Sequence, residues 1–374
     1  MINILYVVST LQKAGPISFL YNLIEELDRS KVKPIILTLS NEKVKLPSFR
    51  KNFVGLDIKI IDLHLTRLAG FFYAKDKIKE VVSKNNIHII HTVGYRPDQI
   101  IRDNTFKDQI LISSIQSNIF DDYPMLYGKY KGTILAKSHI RSLHNKTVVS
   151  CSRFVRDSLE AIANCKSEII YNSVSKNNSC LTTDQDKLEA RLDLGIHQDS
   201  KIFVFTGSLI LRKDPLTAIK GFKNADIPNS TLVILGEGPL LNDCIKEVGE
   251  RKNIIFKGYV NNVQEYLKSA DFYIASSLSE GLPFSVLEAF SFGLPSILSD
   301  IKPHNELITM LDDDNDKLMF ETENYLQLSK IILNFYAKDY LKLQTSFRKV
   351  IEDKVNSGIM AAQFLSLYQS QNKA

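Results

Sequence analysis

The chain has 374 residues, 44% of them hydrophobic and 24% charged, with 16 Gly and 11 Pro. That length predicts two domains, and that composition excludes a disordered, collagenous or low-complexity protein. The formal net charge of +5 conceals an asymmetry: residues 1–176 hold 26 Lys and Arg against 16 Asp and Glu, the remainder 21 against 26. A basic half beside an acidic half suits a nucleic acid, a polyanionic ligand or an anionic membrane surface, or else reflects charges scattered over a solvated surface. Cys151, Cys165, Cys180 and Cys244 lie far apart with no C-x-x-C pair, which predicts reduced thiols in a cytosolic protein. MINILYVVSTLQKAG lacks the basic start of a secretory signal, and no run of about 18 apolar residues predicts a membrane span.

In chain order, NILYVV reads as a buried strand, the turn at Gly15 and Pro16 follows, and Phe19, Leu20, Leu23, Ile24 and Leu27 recur at helical spacing before a second strand, PIILTLS. Strands are predicted again at 58–61, 87–90, 110–114 and 147–150, with room for a helix between each pair. This alternation predicts a parallel sheet wound on both faces. Residues 173–198 are polar and turn-rich at first and read as an interdomain connection. The pattern then restarts, with strands at 202–206, 231–235, 254–257, 272–275 and 296–298. In the last segment, SGIMAAQFLSLYQSQ, Met360, Phe364, Leu365 and Tyr368 share a face. That face either packs on the first domain or binds a partner or membrane surface, although it lacks the basic flank of an interfacial helix. The predicted domains are 1–176, 177–355 and a crossover helix at 356–374.

The chemistry concentrates in residues 271–300, DFYIASSLSEGLPFSVLEAFSFGLPSILSD. A strand ends in small polar residues, Glu280 stands at the strand-loop junction, Gly281 and Pro283 shape a helix entry, and Glu288 follows two helical turns later. Free backbone amides at the helix start suit a phosphate, and two carboxylates suit hydroxyl-rich groups such as a ribose or a hexose. In TGSLILRKDPLTAIKGF, Arg212 and Lys213 precede a helix beginning near Pro215, where a cation opposes the helix dipole unless an anion is present. LVILGEGPLLNDC carries Gly236, Gly238 and Pro239 after a strand, a tight strand-to-helix turn.

On these residues the chain resembles glycosyltransferase family 4, retaining enzymes of the GT-B fold with a Glu-x7-Glu signature in such a loop and helix. The resemblance implies an α/β architecture of two doubly wound Rossmann-like domains, a cleft between them and a C-terminal helix packing back on the first. It implies that Glu280 lies by the donor sugar, that Glu288 binds the ribose, and that the amides of Gly281, Leu282, Pro283, Phe284 and Ser285 meet the sugar and diphosphate (Pro283 through its backbone alone, having no N–H). Lys213 falls where the family binds the donor diphosphate. The family's arginine after the glycine is replaced by Ser208, next to Gly207, and Arg212 would supply the guanidinium. Gly258, Tyr259 and Val260 match the segment that reads the base. Gly15, in KAGPISF, matches a turn that closes over the diphosphate. His91, in HTVGYRPDQI, and Gln116, in IQSNIFDDYPMLYGKYKG, match segments lining the acceptor side, with His91 equally a structural histidine at a strand end. Gln116 stands where many members have histidine, so no general base is expected there.

The implied activity is transfer of a sugar from a nucleoside diphosphate sugar to a glycan or a polyprenyl-diphosphate-linked acceptor, in bacterial surface-polysaccharide synthesis. No cofactor, no metal and no nucleic-acid partner are expected, and the protein is placed in the cytoplasm, peripherally at the inner face of the membrane. A GT-B-like epimerase or phosphorylase, and a non-catalytic nucleotide-sugar-binding subunit, are the rival readings. Asp312, Asp314, Asp316 and Glu323 imitate a calcium loop, but Lys317 occupies the position that requires glycine, so an acidic surface loop is expected.

Overall fold

The structure, a computed structural model, describes residues 1–44, 46–102, 104–175, 183–311, 318–336 and 341–372. The chain divides into two compact units, Met1–Ser173 with Ser357–Ala374, and Val174–Asn356. The acidic residues Asp312, Asp314 and Asp316, with Lys317 and Cys180, lie outside the described residues. Cys151, Cys165 and Cys244 are free thiols. Among the described residues, no helix is long and apolar enough to cross a membrane.

The first unit runs β1 (Ile2–Val8), α1 (Gly15–Glu26), β2 (Val32–Thr38), α2 (Arg50–Gly55), β3 (Lys59–Asp62), α3 (Arg67–Lys84), β4 (Ile89–Val93), α4 (Tyr95–Ile100), β5 (Ile110–Ile115), α5 (Ile119–Tyr127), α6 (Lys129–Ser142), β6 (Thr147–Ser150), α7 (Arg153–Ala163) and β7 (Glu168–Ile169). Its parallel sheet has the order β3-β2-β1-β4-β5-β6-β7. β1 is central, and Ile4 to Val8 are fully buried, because a parallel strand covered by helices on both faces needs a continuous apolar run. β4 begins two residues later than its apolar run suggests, since its register is set by pairing Ile4 with Ile89.

The second unit runs α8 (Asp184–Asp193), β8 (Lys201–Thr206), α9 (Pro215–Ala225), β9 (Ser230–Leu235), α10 (Leu241–Val248), β10 (Ile254–Gly258), α11 (Val263–Ser269), β11 (Phe272–Ala275), α12 (Phe284–Ser291), β12 (Ser296–Ser299), α13 (Lys302–Ile308), β13 (Met319–Phe320), α14 (Tyr325–Tyr336) and α15 (Leu341–Asp353), with sheet order β10-β9-β8-β11-β12-β13. Part of the stretch read as a connection is α8. Thr183 and Asp186 form a capping box at its start, and Arg191 ties it to the unit by donating to the Ser269 carbonyl at 2.9 Å and to Asp271 at 2.7 Å. Polar composition hid that helix because only Ala190 and Arg191 of it are buried.

The last helix, α16 (Ser357–Gln371), belongs to the first unit and packs on α1. Met360, Phe364, Leu367 and Tyr368 are buried, with the Phe364 and Phe19 rings 5.6 Å apart. Leu367 replaces the expected Leu365, which is only half-buried, because the stripe in contact follows the 3.6-residue period from Met360 through Phe364. Each such large apolar side chain contributes about 1.5–3 kcal/mol by burial, so this face is core.

Candidate active site

In the second sheet the strand order reverses between β8 and β11, and a doubly wound sheet opens a crevice at the carboxyl ends of the strands at such a point. The loops leaving those two strands carry the residues singled out in the sequence. After β8 the chain passes Gly207 and Ser208 and makes a single 3-10 turn, Leu211–Lys213. Asp214, in the left-handed region, then caps α9 by accepting the Thr217 amide, and Pro215 takes the first helical turn. The loop is held from below by Gly236. Its φ is +140°, and an added Cβ would overlap the Gly207 carbonyl oxygen, so only glycine allows the two backbones this close. The Gly236 amide in turn donates to the Gly258 carbonyl at 2.8 Å. The G-x-G turn is therefore architecture beneath the 207–214 loop.

The loop after β11 is bound to the same turn. The Ser276 hydroxyl donates to the Asp214 carbonyl at 2.6 Å, the Leu278 amide donates to the Arg212 carbonyl at 2.8 Å, and Arg212 Nη1 donates to the Ser279 carbonyl at 2.9 Å. These bonds bring Glu280 against Lys213 and Arg212. Lys213 Nζ lies 2.5 Å from Glu280 Oε1, Arg212 Nη1 lies 2.7 Å from Oε2, and the Ser277 hydroxyl donates to Oε1 at 2.9 Å. Glu280 is 5% exposed. Burial alone would raise its pKa, but Lys213 and then Arg212 outweigh burial and hold the carboxyl at about 2. The result is a fixed carboxylate under two cations, with one positive charge in excess.

Gly281, Leu282 and Pro283 are buried and lead into α12, whose first residues are Phe284 and Ser285. No side chain caps this helix, which leaves its first-turn amides to the backbone geometry of the loop. Glu288, half-buried, stands on the same helix. Tyr273, unremarked in the sequence, is buried beneath the site and ties the end of β8 to the start of α12. Its hydroxyl bonds with Thr206 Oγ1 at 3.0 Å and with Ser285, and is pushed up to about 12, chiefly by burial and further by Glu288 and Glu280. Tyr259 is exposed, with Gly258 and Val260 half-buried, at the end of β10. Ser208 is exposed and carries no cation, so the guanidinium at this site comes from Arg212.

His304 was also missed. It lies on α13, fully buried, with Nδ1 donating to the Ser299 carbonyl at 2.9 Å, while Nε2 has no hydrogen-bond partner among the described residues. Burial pushes its pKa down to about 4, against the opposing pull of Glu280. The Ser299 hydroxyl donates to the Ser277 carbonyl at 2.6 Å, so His304 supports the floor of the Glu280 loop. A histidine in SDIKPHNELI carries no local signal of this, because the contacts come from β12 and the loop after β11.

In the first unit, Gly15 opens α1 after β1, and Gln116 follows β5 with Oε1 buried and without a partner among the described residues. His91 requires a correction. It does not line a ligand surface: it is fully buried, with Nδ1 2.8 Å from the Tyr368 hydroxyl, Nε2 2.8 Å from the Ser114 hydroxyl, and its ring packed against Tyr6 and Phe364. The face of β4 that bears it is covered by α16, so burial pushes its pKa down to about 3 and it acts as a core residue.

Comparison with known proteins gives a family match, two relatives in sequence and two in structure. Residues 186–353 match the family described as glycosyl transferases group 1. The UDP-Gal:alpha-D-GlcNAc-diphosphoundecaprenol alpha-1,3-galactosyltransferase of Escherichia coli is 32% identical over 151 residues, covering 38% of this chain and 39% of that protein. The O-antigen biosynthesis glycosyltransferase WclY of Escherichia coli is 25% identical over 385 residues and 98% of each chain. Among solved structures, Anabaena Alr3699/HepE in complex with UDP and glucose superposes with a TM-score of 0.82 over 99% of this chain and 100% of its own, at 13% identity. WaaG, a glycosyltransferase involved in lipopolysaccharide biosynthesis, gives 0.73 over 98% and 99%, at 10% identity. The fold, two parallel-sheet Rossmann-like units, is that of the GT-B glycosyltransferases.

Proposed function

We propose that this chain, whose residues 186–353 match glycosyl transferases group 1, is a retaining glycosyltransferase of family 4 type acting in bacterial surface-polysaccharide assembly. It moves a sugar from a nucleoside diphosphate sugar to a glycan or polyprenyl-diphosphate-linked acceptor. The observation that carries the reading is the Arg212–Lys213 pair held on buried Glu280 at the reversal point of the second sheet. The likeness to WclY along 98% of each chain supports the polysaccharide setting.

In this reading the donor diphosphate takes Lys213 and Arg212 as counter-ions, beside the first-turn amides of α12, and Glu280, held in place by the same cations, accepts a hydrogen bond from a sugar hydroxyl. The bond from the anomeric carbon to the phosphate oxygen breaks, and its electron pair stays on the diphosphate, where the two cations neutralise it. The acceptor oxygen bonds to the same face of the anomeric carbon, and its proton passes to the departing phosphate oxygen. Two protein cations thus do the work often given to a divalent metal, and catalysis is electrostatic and positional. Glu288 holds the ribose, and the segment Gly258 to Val260 meets the base.

The test is hydrolysis of a panel of nucleoside diphosphate sugars in EDTA by the native protein, Lys213→Ala and Glu280→Ala. Slow release of nucleoside diphosphate from one donor, lost in both variants, is the expected result. Release that requires a divalent ion, or a donor bound but never hydrolysed even with acceptor glycolipid present, overturns the mechanism; the latter outcome describes a binding subunit.

A further inference from the structure

α5 and α6 form a hairpin whose corner is exposed on both sides: all seven residues from Met125 to Lys131 are solvent-facing. Its apolar members are Met125, Leu126, Tyr127 and Tyr130, joined one turn along α6 by Ile134. Tyr130 is 87% and Ile134 68% exposed, so with Met125, Leu126 and Tyr127 the corner presents a cluster of large apolar side chains to solvent. The register of α6 is not free to turn them inward. Gly132 sits so close to α5 that an added Cβ would overlap the Tyr123 carbonyl, and Ala136 and His139 continue that buried face.

The corner also stands on a rigid base. His139 bridges the Tyr123 hydroxyl at 2.7 Å and the fully buried Asp98 at 2.9 Å, and the Lys146 ammonium pairs with Asp98 at 2.7 Å. On the outer face the apolar residues are interleaved with Lys129, Lys131, Lys137 and Arg141, all exposed. From Tyr123 to Arg156 the chain carries no Asp or Glu.

We propose that this corner inserts into the surface of an anionic bilayer, with the aromatic and aliphatic side chains in the headgroup boundary and the four cations over the lipid phosphates. A preformed apolar tip interleaved with lysines, its acidic side chains Asp121 and Asp122 set back in the first turn of α5, fits a bilayer interface, where tyrosine and lysine side chains each reach polar groups from an apolar base. The surface stands on its own exposure and charge. Its use, bringing the protein to the membrane that holds a lipid-linked acceptor, rests on the function proposed above. The interfacial role considered for α16 passes to this hairpin, since the apolar face of α16 is buried.

The test is co-sedimentation of the full chain with phosphatidylcholine vesicles, with and without about one quarter phosphatidylglycerol. Binding is expected only to the anionic vesicles. Lys129→Gln with Lys131→Gln lowers the partition coefficient about thirtyfold, and Tyr130→Ser with Ile134→Ser about tenfold or more, with thermal melts unchanged because these side chains face solvent. Binding that survives both pairs of substitutions, or no binding to anionic vesicles, overturns the proposal. So does a lipid-free dimer that Tyr130→Ser with Ile134→Ser converts to monomer, since a second copy would then cover the corner. Failure of donor hydrolysis with vesicle binding intact would overturn the functional reading alone.

Discussion

Replacing Lys213 by alanine removes the closest cation from a carboxylate that is 5% exposed. In the native fold Glu280 is held at about 2 against an ordinary 4.5, which at about 1.4 kcal/mol per pH unit corresponds to about 3 kcal/mol of stability from its partners. Without Lys213, burial acts against Arg212 alone, the carboxyl pKa rises, and most of that contribution is lost, in line with the about 3–5 kcal/mol cost of breaking a buried ion pair. For a unit of this size the melting transition should fall by about 6–12 °C. Donor turnover should fall about 10²–10³-fold, as expected for removing one transition-state cation. The assay is a double-mutant cycle of Lys213→Ala and Glu280→Ala, read by calorimetry of the full chain and by nucleoside diphosphate release. The double variant should lose about 2 kcal/mol less than the sum of the singles. Additivity within about 0.5 kcal/mol would refute the coupling on which the site argument rests.

Three other outcomes follow from the same geometry. Burial holds His91 neutral, with its pKa near 3 against an ordinary 6.5, so between those values the unfolded chain binds a proton that the fold refuses. The contribution of neutral His91 is thus complete above pH 6.5 and drains as pH falls toward 3; calorimetry from pH 7 to 4 should show His91→Asn flattening this slope by up to about 1.4 kcal/mol per pH unit. Gly236→Ala should cost about 3 kcal/mol or more and weaken donor binding, because its Cβ displaces the 207–214 loop; titration calorimetry with the donor checks both direction and site. Tyr368→Phe removes the hydroxyl shared by His91 and Tyr6, and a urea titration should show a loss of about 1–3 kcal/mol with donor affinity unchanged.

The fold was legible because its information is local. Apolar runs such as NILYVV and the alternation with helical periods mark parallel strands and their crossovers, and the parallel sheets followed within a residue or two at most strand ends. The short β7 escaped, since two residues carry no period. The α8 helix escaped because a helix exposed on nearly all sides has no apolar stripe to detect. Glu280, Glu288, Arg212 and Lys213 stood out chiefly through the family resemblance of the segments that carry them, because Gly, Pro and Glu at a helix entry do not by themselves assign a role.

The sequence by itself determined the two doubly wound sheets and the residue types gathered at the strand ends, because period and turn chemistry are written within a dozen residues. Only the tertiary structure decided which of them meet. Glu280 reaches Arg212, 68 positions earlier, because β11 pairs with β8 across the reversal of strand order. His91 was decided by Tyr368, 277 positions later, whose helix seals the face of β4. A chain pattern fixes which side of an element is apolar; what covers that side depends on the packing of distant elements, and this turned one candidate ligand residue into core and left the apolar corner of α5 and α6 facing outward.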